Sequence, residues 1–328
     1  MKVGILGAGM IVHDMLSFIH EVEGVELIGI CALPVEQEKI EILAKEHHIA
    51  NTYIEYDEML KNDDIEVIYI AVNNHLHYEM SMKALKAHKH VICEKPFTSH
   101  IKELEELNAY AKKENLLLLE AISTQYLPNV LKIKELLNEV GDVKIVSANY
   151  SQYSSRYNAF KEGQILPAFD YKKSGGALMD LNIYNIHFLV ALFGEPKDVY
   201  YQANIEKGID TSGIITLNYG NFKAVSIGAK DCKAPVMLTL QGDQGVLRID
   251  TPINQLTKFE YINNQNESII INKDENKHRL FYEFKQFINM IDYHDEMKVN
   301  YMLEISFIVS EIMQEARLQE GIVFDNDK

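Results

Sequence analysis

The chain is predicted to be an α/β protein of two domains. A doubly wound parallel sheet occupies residues 1–121, and an α+β domain on a mainly antiparallel open sheet occupies 122–328. Three observations carry this. Short apolar strands alternate with amphipathic helices about five times up to Ala121, the pattern of a parallel sheet with crossover helices. A glycine turn joins the first strand to the first helix. Beyond Ala121 strand-like segments separated by Gly/Asn turns dominate, as in antiparallel sheets.

Composition bounds the function. A chain of 328 residues has length for about two domains. The net charge of -16 would repel a phosphate backbone, and no basic patch offsets it, so no nucleic-acid partner is expected. Cys31, Cys93 and Cys232 stand far apart with no Cys-x-x-Cys, which argues against a disulfide framework or a metal site and fits a reducing cytoplasm. The apolar N-terminus is interrupted by two glycines and His13-Asp14 with no cleavage site after it, so no leader is expected. No apolar run was expected to approach the ~18 residues of a membrane span, hence no membrane partner.

Val3-Gly4-Ile5-Leu6 reads as the first strand. Gly7-Ala8-Gly9-Met10-Ile11-Val12 follows, a Gly-x-Gly-x-x-small turn between strand and helix. Gly7 permits the tight turn, Gly9 lets a pyrophosphate approach, and the helix N-terminus at Met10 and Ile11 supplies amide donors. This is the dinucleotide fingerprint of a Rossmann domain, with Val12 where Gly or Ala is usual. The second strand, 25–31, ends in Cys31-Ala32-Leu33-Pro34, with neither the acid that binds a ribose 2′-hydroxyl nor the base that accommodates a 2′-phosphate. Leu33 borders the site, and Glu36 is either the ribose ligand or an ordinary acid in a first helical turn. The cofactor is NAD or NADP, and the lack of Arg or Lys at that strand end inclines the reading to NAD.

A helix over 35–48, a strand over 51–53 and a short helix from Asp57 come next. The strand 65–72 is nearly all apolar, as when both faces are covered. At its tip, Asn74 reads as a cofactor contact or a helix cap, and His77 as a cofactor contact or a solvated first-turn residue. A helix over 77–87 leads to His90-Val91-Ile92-Cys93, a buried strand that ends in Glu94-Lys95-Pro96. A lysine at the carboxyl end of a parallel strand points at the crevice where ligands bind. Proline makes the turn rigid, and a cis bond before Pro96 is expected because proline lowers its cost. A helix over 99–114 and a strand over 116–120 complete the first domain.

In the second half a helix near 129–138 precedes strands at 143–151, 198–205, 212–219, 222–229, 236–241, 246–250 and 257–262. Residues 280–293 and 303–318 show helical spacing. The aromatic residues of 150–171 are read mostly as packing. In Ser174-Gly175-Gly176-Ala177-Leu178-Met179-Asp180, the glycines allow close backbone approach and a helix starts near Ala177. Asp180 and Tyr184 are four apart and share a helical face. They read as an acid/base pair, or as a capping Asp and a half-buried Tyr.

Together these pieces resemble the Gfo/Idh/MocA oxidoreductase family over essentially the whole chain. Asn74-x-x-His77 and Lys89-His90-Val91-x-Cys93-Glu94-Lys95-Pro96 resemble one hallmark segment, and Gly175-Gly176-Ala177-Leu178-Met179-Asp180 another. Glu120-Ala121, Pro128 and Gly242-x-x-Gly245 match further family positions. Many members carry His four residues after the Asp. Tyr184 instead is similar to the glucose–fructose oxidoreductase and dimeric dihydrodiol dehydrogenase branches. Asn182, Asn73 and His88 depart from the usual residues.

The resemblance implies hydride transfer between NAD(P) and a hydroxyl/carbonyl carbon of a small polyhydroxylated substrate. Lys95, Tyr184 and Asp180 would be catalytic. Gly7, Gly9, Met10, Ile11, Leu33, Glu36, Asn74, His77, Glu94 and Lys95 would bind the cofactor. On this reading Tyr184 exchanges the proton, Lys95 favours its phenolate, Asp180 orients Lys95 or the substrate, and Lys95 and Tyr184 meet beside the nicotinamide. A homodimer or homotetramer through the second domain's exposed sheet face is also implied. The rival reading is a catalytically silent NAD(P)-binding regulator of the same fold.

Overall fold

A computed structural model describes residues 1–328. Two compact units form: Met1–Ile122 with Leu280–Glu304, and Ser123–Arg279 with Ile305–Lys328.

In the first unit the strands are β1 (Lys2–Leu6), β2 (Glu26–Cys31), β3 (Asn51–Tyr53), β4 (Val67–Ile70), β5 (His90–Glu94) and β6 (Leu118–Ala121). They lie in the order β3-β2-β1-β4-β5-β6, and every neighbouring pair is parallel. The crossovers carry α1 (Met10–Phe18), α2 (Gln37–Glu46), α3 (Tyr56–Leu60), α4 (His77–Lys86) and α5 (Ile101–Lys113). All of β4 is buried, which is why its sequence shows no polar alternation. Helix α5 buries Leu104, Leu107 and Ala111, one stripe at helical spacing. The strand order reverses between β1 and β4, so the ligand crevice of such a sheet opens at their carboxyl ends.

The second unit holds an eight-stranded sheet. Its strands are β7 (Val143–Ser151), β8 (Asp198–Glu206), β9 (Ile209–Asn218), β10 (Lys223–Ala229), β11 (Met237–Gly242), β12 (Gly245–Ile249), β13 (Phe259–Asn263) and β14 (Ser268–Ile271). The order is β14-β13-β12-β11-β7-β10-β9-β8, antiparallel throughout except for the parallel pair β7–β10. Strand β14 was not anticipated; its short Ser-Ile-Ile-Ile run lies at the sheet edge. Register puts Val146, Ala224, Ile215, Val199 and Leu240 on the buried face. On the opposite face Ile145, Tyr200, Ile214 and Met237 are exposed. Helices α6 (Pro128–Leu136), α7 (Tyr157–Lys161) and α8 (Ile183–Phe193) also belong to this unit.

The aromatic stretch is packing, as read from the sequence. Phe160 stacks on Phe169 with ring centroids 4.8 Å apart, and Tyr157 lies 5.7 Å from Phe169. The membrane expectation needs correcting. The helical stretch Tyr171–Phe193 is long and apolar enough to cross a membrane, although 78% of its most apolar window is buried inside the protein. A core helix covered on all sides produces the same hydropathy as a span.

The domain boundary also needs correcting. Residues 280–304, expected with the second domain, pack with the first unit. They form α9 (Phe281–Asp292) and the start of α10 (Glu296–Gln319). The cause is aromatic burial: Phe284 of α9 lies edge-on to Phe18 at 6.0 Å and to Tyr69 at 5.4 Å. The N-terminal ammonium pairs with Asp292 at 3.2 Å on the same helix.

Candidate functional site

The first unit places Gly7, Glu94 and Lys95 at strand ends on the carboxyl edge of its sheet. The Gly7 N–H donates to the Cys31 carbonyl at 2.8 Å, tying the ends of β1 and β2. Gly7 has φ +120°, and a Cβ there would stand 2.3 Å from the Ala71 carbonyl oxygen, so only glycine lets the chain pass the end of β4. Gly9 is different. It is exposed, its φ is an ordinary -76°, and no atom lies within 4 Å of the place a Cβ would take. That open space fronts the N-terminus of α1, whose first turn holds no acidic side chain. The helix N-terminus with its favourable dipole and the absent Cβ fit a pyrophosphate.

Met10 follows this turn and Leu33 follows the end of β2, and they are 70% and 66% exposed. Ile11 is half-buried. Lys39 was missed by the sequence reading. From α2 it donates to the Ala8 carbonyl inside the glycine turn, and it pairs with Glu36 at 3.4 Å. The inclination to NAD rested on the lack of a basic side chain at the strand end, and Lys39 supplies one from α2.

Asn74 is half-buried in a 3₁₀ turn after β4. His77 requires a correction: it is fully buried, neither a solvated residue nor a surface for a ligand. Its Nδ1 lies 2.8 Å from the Pro96 carbonyl and its Nε2 3.2 Å from that of Val72. Burial holds its imidazole below the ordinary histidine range despite those carbonyls. Glu94 is also buried, and its carboxylate accepts from the Tyr69 hydroxyl at 2.6 Å. Both residues support the turn that carries Lys95, which is itself half-buried. The Lys95–Pro96 bond is cis, as expected. Beyond it the Ser99 N–H donates to Glu103 at 2.9 Å, which starts α5.

In the second unit, Gly175 and Gly176 make room for backbone. A Cβ on Gly175 would meet the Pro167 carbonyl oxygen at 2.6 Å, and one on Gly176, at φ +110°, the Asp210 Oδ1 at 2.1 Å. Asp210 on β9 is buried. It accepts from the Leu178 N–H at 2.6 Å and from the Tyr201 hydroxyl at 2.9 Å. Burial outweighs these donors and the nearby Lys230 charge, and its carboxyl is pushed up to about 6.

Leu178–Asn182 is a π-helical turn that runs into α8. Asp180 and Tyr184 therefore belong to one helical stretch with a widened turn between them, a feature common at functional sites. Asp180 pairs with Lys230, whose ammonium lies 2.6 Å from Oδ2. Lys230 also donates to the Ala168 carbonyl at 2.8 Å and sits 4.6 Å from the centre of the Phe169 ring. Tyr184 is 8% exposed and its ring centroid is 6.2 Å from that of Tyr150. Asn182 is buried; it accepts from the Ser226 hydroxyl and from the Asn185 amide at 3.2 Å. Its Cβ lies 2.7 Å from where Gly228 would carry one, so glycine on β10 makes the room.

Comparisons with known proteins identify the family. Residues 1–122 match the family described as oxidoreductase family, NAD-binding Rossmann fold, and residues 130–248 match the GFO/IDH/MocA C-terminal domain. The chain is 36% identical over 332 residues to the scyllo-inositol 2-dehydrogenase (NADP(+)) IolU of Bacillus subtilis, covering 100% of this chain and 99% of the relative. It is 26% identical over 337 residues to trans-1,2-dihydrobenzene-1,2-diol dehydrogenase of Danio rerio, covering 99% and 98%. Among solved structures, a 3-ketoreductase from Actinomadura kijaniata in complex with NADP superposes with a TM-score of 0.80 at 17% identity, covering 97% of each chain. At that identity the likeness shows the fold.

Proposed function

This chain belongs to the Gfo/Idh/MocA oxidoreductase family, and from that premise we propose that it oxidises a ring hydroxyl of an inositol with NADP as the working cofactor. It is an NAD(P)-dependent enzyme that acts on the CH–OH groups of polyols or diols. The observation that carries the finer reading is the Gly7–Gly9 cradle with Lys39 reaching into it, beside a 36%-identical relative named as an NADP(+)-dependent inositol dehydrogenase.

Bound nicotinamide would supply the hydride acceptor, and the protein's part is placement and proton handling. Gly7, Gly9 and the first amides of α1 would hold the pyrophosphate, and Met10 and Leu33 the nucleobase. Glu36 and Lys39 would face the ribose and its 2′-phosphate. Tyr184 takes the hydroxyl proton in oxidation and returns it in reduction. Lys95 supplies positive charge for the oxygen that becomes anionic. Asp180 accepts a hydrogen bond from a neighbouring substrate hydroxyl, and vicinal hydroxyls are what a polyol offers.

The second domain's exposed face, with Ile145, Tyr200, Ile214 and Met237, supports a homo-oligomer. Three free cysteines support a reducing, cytoplasmic setting. The test is an assay of scyllo-inositol, myo-inositol and a trans-dihydrodiol with NADP and with NAD, following formation of reduced nicotinamide. Turnover of an inositol, faster with NADP, is expected. Tight nucleotide binding without turnover of any of the three refutes the proposal.

A further inference from the structure

Resting on the reading just given, we infer that Lys230 is a positioning residue for the reaction, one that holds the Asp180 carboxylate at its working place on the π-helical turn. Neither the glycine turns nor the Lys95 and Tyr184 positions point to it. It directly follows β10, far along the chain from Asp180.

The distribution of exposure carries the inference. In an ordinary surface ion pair both partners are wet and mobile. Here the ammonium side chain is 2% exposed while the carboxylate is 38% exposed. Lys230 is fixed on three sides, by Asp180, the Ala168 carbonyl and the Phe169 ring. Burying an ammonium is costly, and an unbranched apolar side chain of similar length would fill the same space without that cost. What the cation adds is a fixed charge beneath a carboxylate that remains accessible. Asp180 is thereby held as an acceptor, suited to the hydroxyl of an uncharged polyol.

The turn is secured at its other end by the buried Asp210, which accepts from the Leu178 N–H. Its charge also acts on Lys230. One cation thus serves two carboxylates, one inside the fold and one at its rim.

The experiment compares wild type, Lys230→Gln, Lys230→Met, Asp180→Asn and Lys230→Gln/Asp180→Asn. Lys230→Gln keeps a donor for the Ala168 carbonyl and removes the charge, and serves should Lys230→Met not fold. With scyllo-inositol and NADP, Lys230→Gln is expected to lower kcat by roughly ten- to a hundredfold with nucleotide affinity unchanged. The double variant should be no worse than Asp180→Asn alone, since groups that act through one another do not add. Lys230→Arg should recover part of the loss.

A second readout needs no turnover: amide hydrogen exchange over 176–183 should quicken in Lys230→Gln and Lys230→Met. If wild type oxidises no inositol or diol, the oxidoreductase reading fails and the exchange measurement still decides the positioning role. Multiplying effects in the double variant, or unchanged exchange at the turn, would overturn the inference.

Discussion

The Nδ1 of His77 lies 2.8 Å from the carbonyl oxygen of Pro96, and through that bond the start of α4 holds the turn that carries Lys95. A neutral imidazole has one N–H, so it donates to one of the two carbonyls that flank it. Replacing His77 with Phe keeps a ring and removes the donor. A loss of roughly 1–3 kcal/mol is expected, the usual penalty for an unsatisfied buried acceptor. Urea unfolding measures it. The pH dependence has a definite sign. Because the folded imidazole titrates below its unfolded value of ~6.5, the unfolded chain gains the proton first. The His77 contribution is present above that pH and is lost on acidification below it. The Phe variant should lack this component.

Asp210 acts in the opposite sense. Its carboxyl titrates at about 6 in the fold and at the ordinary carboxylate value when unfolded. Its contribution is therefore complete below ~4 and declines as pH rises through 6, by about 3 kcal/mol in all. The stability difference between wild type and Asp210→Asn should shrink across that window. Equal differences at both ends would show that the fold does not raise the Asp210 carboxyl.

The two glycines of the first turn should separate fold from ligand. Gly7→Ala forces a Cβ to within 2.3 Å of a carbonyl oxygen at a positive φ, and should destabilise by more than about 2 kcal/mol. Gly9→Ala meets nothing, and its stability should stay within about 0.5 kcal/mol of wild type. Its nucleotide affinity should fall about tenfold or more, because the methyl occupies space a pyrophosphate would use. Calorimetric titration with NADP checks this.

Tyr184→Phe and Lys95→Met should each lose roughly 100- to 10,000-fold in turnover, the range for general acid–base help. Nucleotide binding should persist in both. Near-normal turnover in either variant removes that side chain from proton handling.

Ile214→Asp combined with Tyr200→Asp puts two charges on one exposed sheet face, where register aligns the β8 and β9 side chains. If that face joins copies of the chain, sedimentation should show a smaller species than wild type, with retained folding. A wild-type monomer at micromolar concentration would dismiss the interface.

What could be read from the residues was whatever lay within one element and its adjoining turn. The Gly7–Gly9 turn, the buried strand ending at Lys95 and the Gly175–Gly176 bend each announce themselves over a few residues. Partnerships across the chain do not. Lys230 was not singled out in the sequence, and only the pairing of β10 with β7 and β9 brings it under Asp180. Lys39 lay hidden on α2, well past the strand end where a base was sought. His77 was misjudged because a helix start is usually wet, whereas here the Pro96 turn folds over it.

The aromatic seat of Phe284 on Phe18 and Tyr69 bears on how the polypeptide matures. A ribosome releases the nucleotide-binding half almost whole after residue 122, yet the helix that covers its apolar flank emerges only after residue 280. Until then that flank stays sticky, and the nascent chain is a natural client for chaperones. A shortened protein ending near 122 should therefore aggregate, while one with 280–304 grafted back by a linker should remain in solution.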